Sequence, residues 1–274
     1  MKRFFVVLSF AALVLTVLCA SGEAGVQTIN VTDAREFIEA LGSNRIIDMD
    51  YSGDYNLSRW EFSDDLKLQE GVRWSGVFDG GELVLSGIEN LTILGGGPDG
   101  ANSHIIVDPR YAFVLKFENC RDIVIDGPWA RHSEGGSCEG GVFGFTDSSR
   151  ITIRYTEMYG CGTEGLMLSN VSGMKIENSV ISQCTYYIMS AMGGENISFE
   201  DCMFTSNEEF TLVNVTGTRN LSFENCWFND NRGRQMFDVN GTTITVSNSS
   251  FNRNITNSPI RGSANVEFIN CEFN

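Results

Sequence analysis

The chain has 274 residues and carries 35 Asp and Glu side chains against 19 Lys and Arg, a formal net charge of −16. A surface this acidic repels DNA, RNA and anionic lipid, so nucleic-acid binding is excluded from the predicted functions. It also repels polyanionic sugars unless a cation such as calcium bridges the two, whereas neutral glycans remain compatible partners.

The first residues have the pattern of a targeting segment. Three residues, 1–3, form a charged start, and the apolar run at 4–18 is too short to span a membrane. Small residues at Ala20 and Gly22 suit cleavage, so we predict a signal peptide over 1–22 and a secreted, periplasmic or cell-surface protein. The alternative is a lipid tether through Cys19. No later run is long and apolar enough to predict a membrane-spanning segment.

A short helix is predicted from Asp33 to Leu41. Asp33 and Glu36 have the spacing of a capping box, and Phe37, Ile38 and Leu41 fall on one helix face. Such a helix would cover the open N-terminal end of a sheet, where unpaired strand edges otherwise invite aggregation.

The rest of the chain is organised by a repeat of about 23 residues. Equivalent apolar positions lie 22 to 24 residues apart at Ile151, Met174, Ile197, Leu221, Ile244 and Val266. Each unit begins with alternating apolar and polar residues, as in Asn196–Glu200, which is the period of a strand. The repeat predicts one solenoid domain over 23–274, with early coils at Ile46–Met49 and Glu82–Leu85.

Residues at fixed offsets from these starts predict stacked columns. Two offsets are apolar throughout and predict core ladders: Ile153, Ile176, Phe199, Phe223, Val246, Phe268, and Met158, Ile181, Phe204, Phe228, Phe251, Phe273. A third offset holds only small residues, which predicts an interior column: Thr156, Ser179, Cys202, Cys226, Ser249, Cys271. A fourth predicts left-handed turns and an inward asparagine ladder: Asn178, Asp201, Asn225, Asn248, Asn270.

These columns, and segments such as 196–204 and 220–228, resemble the coils of right-handed parallel β-helix proteins of the pectate-lyase-like superfamily. The resemblance covers roughly Asn90 to Asn274. It implies an all-β, single-stranded right-handed parallel β-helix with about 23 residues per coil and a short N-terminal capping helix. The fold alone does not select a function.

The resemblance also implies two enzyme chemistries. Calcium-dependent lyases of this kind hold the metal with acidic residues beside an arginine base, and Arg131, Arg232 or Arg234 could take that role. Polygalacturonases carry clustered aspartates. The one Asp-Asp pair here, Asp64–Asp65, lies outside the regular coils, so polygalacturonase chemistry is not predicted.

A loop over 128–140 is the predicted contact surface. The interval from Ile123 to Ile151 is 28 residues, longer than the repeat, and the surplus falls in this segment. Trp129 can stack on a sugar ring, and Arg131 can donate hydrogen bonds. Because the interior of a coil is filled with side chains, binding sites in such solenoids are built from loops that bulge out of one turn.

The loop and the coils beneath it supply candidates for acid and base chemistry. His132, Glu139 and Glu164 are the candidate catalytic residues. Glu164 opens a column thirteen residues after each start, which continues with Tyr187, Phe210 and Arg234. Tyr187 and Arg234 join Trp129 and Arg131 as candidate substrate-binding residues.

A second acidic column is a weaker candidate for a metal. Glu177, Glu200 and Glu224 share one outward phase, and like charges stacked at the strand spacing repel. Bound calcium, or the neighbouring Lys175 and Arg154, would relieve this repulsion. No other cofactor is predicted.

The cysteines follow the repeat and not the spacing of a zinc knuckle. Cys202 and Cys226 are expected to stack as buried small residues. Cys161 pairs with either Cys184 or Cys138 if a disulfide forms.

The last apolar residue, Phe273, has no predicted cap after it. The bare coil end predicts either pairing with another chain, including self-association, or a truncated reading frame.

Three functions remain open after these arguments. The first, which we favour, is an exported protein that recognises extracellular or cell-envelope carbohydrate through the 128–140 loop and an outer groove. The second is a polysaccharide lyase or glycoside hydrolase in the same groove. The third is a structural or adhesive surface solenoid without a small-ligand site.

Overall fold

The computed structural model describes residues 25–51, 53–96, 101–133, 140–160 and 163–274. These residues form an all-β solenoid, in which each regular coil contributes one strand to each of three sheets. We call the sheets A, B and C in the order in which the chain passes through them. Pairing between successive coils is parallel, so the predicted parallel β-helix is confirmed.

Sheet A consists, in hydrogen-bonded order, of Gln27–Val31, Arg45–Met49, Glu89–Leu94, Arg121–Asp126, Ser149–Arg154, Ser172–Glu177, Glu195–Glu200, Arg219–Glu224, Ile244–Ser247 and Val266–Ile269. Sheet B consists of Asp54–Asn56, His104–Val107, Trp129–His132, Glu157–Tyr159, Val180–Ser182, Met203–Thr205, Trp227–Asn229, Ser250–Asn252 and Glu272–Phe273. Sheet C consists of Val72–Val77, Gly80–Ser86, Leu115–Glu118, Phe143–Thr146, Glu164–Ser169, Tyr187–Met192, Thr211–Thr216 and Gln235–Asn240.

Smaller elements complete the described chain. The strands Arg232–Gly233 and Ile255–Thr256 pair with each other, and 3-10 turns cover Leu57–Trp60 and Ile260–Gly262. The early coils are less regular than predicted, because Gly80–Ser86 pairs in antiparallel fashion with Val72–Val77 as a hairpin.

The two predicted core ladders fill the coil interior. Phe199 stacks on Phe223 at 4.7 Å between ring centroids, and Phe228 stacks on Phe251 at 4.6 Å. All four rings are at most 2% exposed. Stacking at the strand spacing buries both faces of each ring, and each buried Phe contributes roughly 1.5–3 kcal/mol relative to an exposed one.

The residues predicted to form an inward asparagine ladder do not point into the coil interior. The turn residues Asn178, Asp201 and Asn225 do adopt left-handed conformations, with φ of +47° to +53°, but all three are exposed. Asn248, on the same column, is exposed as well. The prediction of an inward ladder there is wrong, because at these corners the neighbouring small residue occupies the interior.

A buried asparagine ladder instead follows sheet B. Asn207 donates from its backbone N and its Nδ2 to Asn231 Oδ1 at 3.1 and 2.9 Å. Asn231 donates from the same two atoms to Asn254 Oδ1 at 3.1 and 3.0 Å. These side chains satisfy backbone groups at a bend where the strand ladders are interrupted.

The N-terminal helix is confirmed at Ala34–Ala40, capped by Asp33, whose carboxylate accepts a hydrogen bond from Glu36 N at 2.9 Å. The helix packs against the first strands of sheets A and B, and Phe37 and Ile38 are fully buried.

The small-residue column is confirmed, since Cys202 and Cys226 are buried as free thiols. Cys138 and Cys161 lie outside the described residues, so the disulfide alternatives stay predictions. At the other end of the solenoid, Arg261 lies 4.9 Å from the ring centroid of the half-buried Phe273, and self-association there stays a prediction.

No group of His, Cys, Asp or Glu able to hold a metal occurs in the described part of the chain. The helices found among those residues are also too short or too polar to cross a bilayer.

Candidate functional site

The predicted 128–140 loop begins later than expected. Trp129, Ala130 and Arg131 pair in register with Glu157, Met158 and Tyr159 of the next coil, so they belong to a regular strand of sheet B. The surplus residues therefore fall after His132. Trp129 and Arg131 sit on a strand, which holds them more rigidly than a loop would. Glu139 lies outside the described residues, so its predicted catalytic role cannot be placed.

Alternation within this strand separates the predicted site residues. Ala130 and His132 point inward and are 0% and 2% exposed. Trp129 and Arg131 point outward and are half-buried on the face of sheet B. A strand places consecutive side chains on opposite faces, so the candidate sugar-binding pair and the candidate catalytic histidine cannot share one surface.

Trp129 belongs to a cluster of rings from three coils. Its indole lies parallel to the imidazole of His104, with centroids 5.3 Å apart and planes at 7°. Tyr159 meets Trp129 edge-on at 6.5 Å and 90°. We call His104, Trp129, Arg131 and Tyr159 the aromatic cluster.

Arg131 supplies the positive charge of this cluster. Its guanidinium carbon lies 5.7 Å from the ring centroid of Tyr159, within the range of a cation–π contact. Its Nε is buried and has no hydrogen-bond partner among the described residues. Burial raises the pKa of the Tyr159 phenol, which the charge of Arg131 partly opposes. At the outer edge, His104 Nδ1 lies 3.0 Å from Asp54 Oδ1.

His132 lies in the coil interior. Its Nε2 is 2.9 Å from the carbonyl oxygen of Ala112, and its Nδ1 has no partner in the described chain. A carbonyl only accepts, so Nε2 carries the proton. Burial lowers the pKa of His132, which keeps the ring neutral near pH 7. This position suits a structural contact between the strand and the segment at Ala112.

Glu164 begins a strand of sheet C and is only 8% exposed. Burial raises the pKa of its carboxyl to about 7, and a hydrogen bond from Ser190 offsets part of that rise. Tyr187 is its register partner on the next coil. Glu164 therefore lies in an environment that keeps a carboxylic acid protonated near neutral pH, as a general acid requires.

The rest of the predicted column is out of register. On the next two coils, Thr211 and then Gln235 lie in line with Tyr187. This register follows because Met189 pairs with Val213 and Thr211 pairs with Gln235. One extra residue in the preceding turn causes this shift, where Glu209 has a φ of +92°.

Arg234 consequently lies in a different column from Glu164 and Tyr187. It is exposed, and its guanidinium carbon is 4.7 Å from the ring centroid of Phe210, which contacts the ring of Tyr186 at 4.7 Å.

A lysine contacts two of the three glutamates in the acidic column on sheet A. Lys175 Nζ lies 2.8 Å from a Glu177 carboxylate oxygen and 3.0 Å from one of Glu200. Arg154 pairs instead with Asp126 at 2.8 Å. The repulsion between Glu177 and Glu200 is thus relieved by Lys175, whereas Glu224 is not part of this ion pair.

Sequence reasoning missed His104 and Tyr159. The signal was present, because Tyr159 stands at the same offset from Ile151 as Arg131 does from Ile123, and the register pairs those two starts. His104 could not be found in this way, since the early coils depart from the repeat.

Comparisons with known proteins identify the architecture. The sequence profile described as right handed beta helix region matches residues 128–273. A solved pectate lyase from Bacillus sp. N165, in complex with trigalacturonate, is 12% identical, with 92% of this chain and 83% of that chain covered and a TM-score of 0.60.

Two further solved structures are also similar to this chain. The Erwinia carotovora polygalacturonase is 10% identical over 91% of this chain and 93% of its own, with a TM-score of 0.45. The Streptococcus pneumoniae surface protein and adhesin PfbA is 12% identical over 89% and 78%, with a TM-score of 0.41. At these identities the likeness concerns the fold alone. No curated protein matches the sequence.

Proposed function

Because the chain belongs to the right-handed β-helix family, we propose that it is an exported protein that recognises carbohydrate through the aromatic cluster on sheet B. Export follows from the signal peptide predicted over 1–22, and it places the protein in the secreted, periplasmic or cell-surface compartment. A lipid tether at Cys19 would leave the same surface available.

The observation that carries this proposal is a ring platform with a guanidinium beside it. Trp129 and His104 offer a rigid apolar surface. The half-buried Arg131 beside them carries a guanidinium, which donates hydrogen bonds to hydroxyl oxygens. A sugar presents both apolar C–H groups and hydroxyl oxygens, so it can satisfy both halves of the site.

The direct test is binding of a polysaccharide panel to the wild type and to Trp129→Ala. We expect saturable binding that weakens roughly tenfold or more, because each 1.4 kcal/mol of lost contact is a factor of ten. Phe78→Ala is the matched control, since Phe78 is 86% exposed in the turn of the sheet C hairpin. Equal affinity of wild type and Trp129→Ala would refute the cluster as the site.

A second candidate is a polysaccharide lyase or glycoside hydrolase that uses Glu164 as its acid. The raised pKa of about 7 and the burial of this carboxyl favour it. The second carboxylate would be Glu139, on the sequence argument alone. This candidate predicts shortened polysaccharide chains after incubation, with calcium or with chelator, and loss of cleavage in Glu164→Gln. Unchanged chain lengths across the panel would rule it out.

If the panel shows neither binding nor cleavage, the structural or adhesive solenoid is the remaining function. That function needs no small-ligand site.

A further inference from the structure

The outer face of sheet B continues beyond the aromatic cluster as a column that is apolar from Val180 to Trp227 and has one charged residue, Glu157, between them and Trp129. Along the register from Trp129, the next coils place Glu157, Val180, Met203 and Trp227 in line. Met203 is 38% exposed and Trp227 is 43% exposed. Large apolar side chains this exposed, and adjacent on one sheet, mark an interaction surface more often than isolated ones do.

A polar column runs beside the apolar one, two residues further along each strand. It consists of Thr205, Asn229 and Asn252, which are half-buried and carry one hydroxyl and two amides. Asn252 Nδ2 donates to Asn229 Oδ1 at 3.0 Å, so the amides are held in fixed orientations. The two columns lie about 7 Å apart, as two residues along a strand dictate.

This part of sheet B carries no charge. None of the residues in Val180–Ser182, Met203–Thr205, Trp227–Asn229 and Ser250–Asn252 is acidic or basic. On the same coils, the sheet A strands Glu195–Glu200 and Arg219–Glu224 each begin and end with a charged residue. An uncharged face offers no ion pair to a charged partner, and the net charge of −16 on the chain repels an anionic one.

A groove of about 430 Å³ borders the polar column on the side of the turn toward sheet C. Its lining includes Gln183 and Ser206, which add further hydrogen-bonding groups next to the strands, and its far side carries the charged residues Glu208 and Arg232. Asp230, also in the lining, is paired with Arg253 through two contacts of 2.6 and 2.5 Å, so its charge is neutralised.

We propose that an uncharged polysaccharide chain binds lengthwise along sheet B, from the aromatic cluster to a second contact region formed by Met203, Thr205, Trp227, Asn229 and Asn252. We call this second region the sheet B track. The inference rests on the proposed function and adds the ligand class and a second site to it. Pyranose rings have apolar faces and hydroxyl edges, and the track offers one column for each.

The distance between the two indoles sets the minimum length of an oligosaccharide that can contact both. Trp129 and Trp227 are four strand spacings apart, which is about 19 Å. A disaccharide therefore reaches only one of the two indoles, whereas a longer oligosaccharide reaches both. Simultaneous contact raises affinity without any new type of interaction.

The test measures affinities of neutral glucan, mannan, xylan and chitin oligosaccharides, from disaccharides to octasaccharides, with polygalacturonate as the charged comparison. For the wild type we expect affinity to rise with length and to favour neutral chains. Trp227→Ala should lose roughly tenfold for the longest chains and leave disaccharides unchanged, whereas Trp129→Ala weakens both.

Two further variants serve as an independent test of the polar column and as a control. Thr205→Glu places a charge in the polar column without removing an apolar group, and it should also weaken only the longer chains. Met192→Ala is the control, because Met192 is 66% exposed on the outer face of sheet C. Circular dichroism of each variant verifies that it is folded.

The outcomes separate the two proposals. If Trp129→Ala weakens binding and Trp227→Ala does not, the track is refuted and the aromatic cluster stands. If the wild type binds no oligosaccharide, both are refuted. Tighter binding of polygalacturonate than of neutral chains refutes the ligand class, and self-association that Trp227→Ala abolishes would show that the track's occupant is a second copy of the chain.

Discussion

The carboxyl of Glu164 lies in an environment that is far less polar than water. It is 8% exposed, and its pKa is about 7 instead of 4.5. The hydrogen bond from Ser190 favours the charged form but does not outweigh desolvation. The residue therefore holds a proton at a pH where ordinary glutamates have lost theirs.

This pKa predicts how stability depends on pH. Between pH 4.5 and about 7 the folded state keeps a proton that the unfolded state has released, so the free energy of unfolding falls as pH rises through this window. The full effect is about 3 kcal/mol, reached above the folded pKa. In Glu164→Gln this contribution is absent, so its urea-unfolding free energy should fall less over that range. Glu267→Gln, at an exposed site, is the control, and parallel curves for wild type and Glu164→Gln would contradict the assignment.

Lys175 forms ion pairs with two glutamates at the surface of sheet A. It is shared between Glu177 and Glu200 at 2.8 and 3.0 Å, and all three side chains are partly solvent-exposed. Lys175→Met leaves the two carboxylates unscreened, so its melting temperature should lie slightly below that of the wild type in low salt. The difference should shrink in roughly 1 M sodium chloride, where the screening length is about 3 Å. A deficit that persists in high salt would mean that lost packing, and not charge, is responsible.

At the scale of the element, strand alternation decides which side chains can act together. The four residues Trp129–His132 include two candidate binding residues and one candidate catalytic residue, and the strand directs them to opposite faces. The turns matter as much, because one extra residue near Glu209 moves Arg234 out of the column of Glu164.

The buried asparagine ladder predicts a large cost for removing one amide. Asn231 accepts from Asn207 and donates to the carbonyl of Phe204 at 2.9 Å. Asn231→Ala leaves these buried groups unpaired, so the free energy of unfolding should fall by about 3 kcal/mol. Asn229→Ala, two residues earlier and facing outward, should cost less than about 1 kcal/mol. Similar urea midpoints for the two variants would count against a stabilising role for the ladder.

For the whole molecule, the distribution of charge over the three sheets determines which partners each face can bind, more than the net charge does. Sheet A carries ion pairs between coils, such as Arg150 with Asp122 at 2.6 Å and Arg219 with Glu195 at 2.6 Å. The sheet B track has no charged residue. An acidic protein can therefore present a neutral surface to an extended partner while its other faces remain well solvated.

This separation predicts how binding responds to salt. Affinity for a neutral oligosaccharide should stay within about twofold between low salt and roughly 1 M sodium chloride, because salt screens only charge–charge contacts. Titration calorimetry at the two salt concentrations measures this directly. A steep fall in affinity with salt would show that Arg131 or another charged group dominates the contact.

The chain sequence was sufficient for the architecture, because a 23-residue period, two apolar ladders and a small-residue column depend only on local alternation repeated many times. The helix at Ala34–Ala40 was predictable for the same local reason, through the cap at Asp33. The positions of Trp129 and Arg131 on one face, and the partner Tyr159, also follow from the period once the register is known.

The tertiary structure alone decided where the surplus residues fall and which groups are desolvated. The interval from Ile123 to Ile151 gives the number of inserted residues, but only strand pairing shows that they follow His132. The inward asparagine column was misplaced, since several corners of a coil carry Asn and only packing determines which corner turns its side chain inside. The environment of Glu164 likewise arises from neighbours distant in sequence, because desolvation is a property of the packed coils and not of any local pattern.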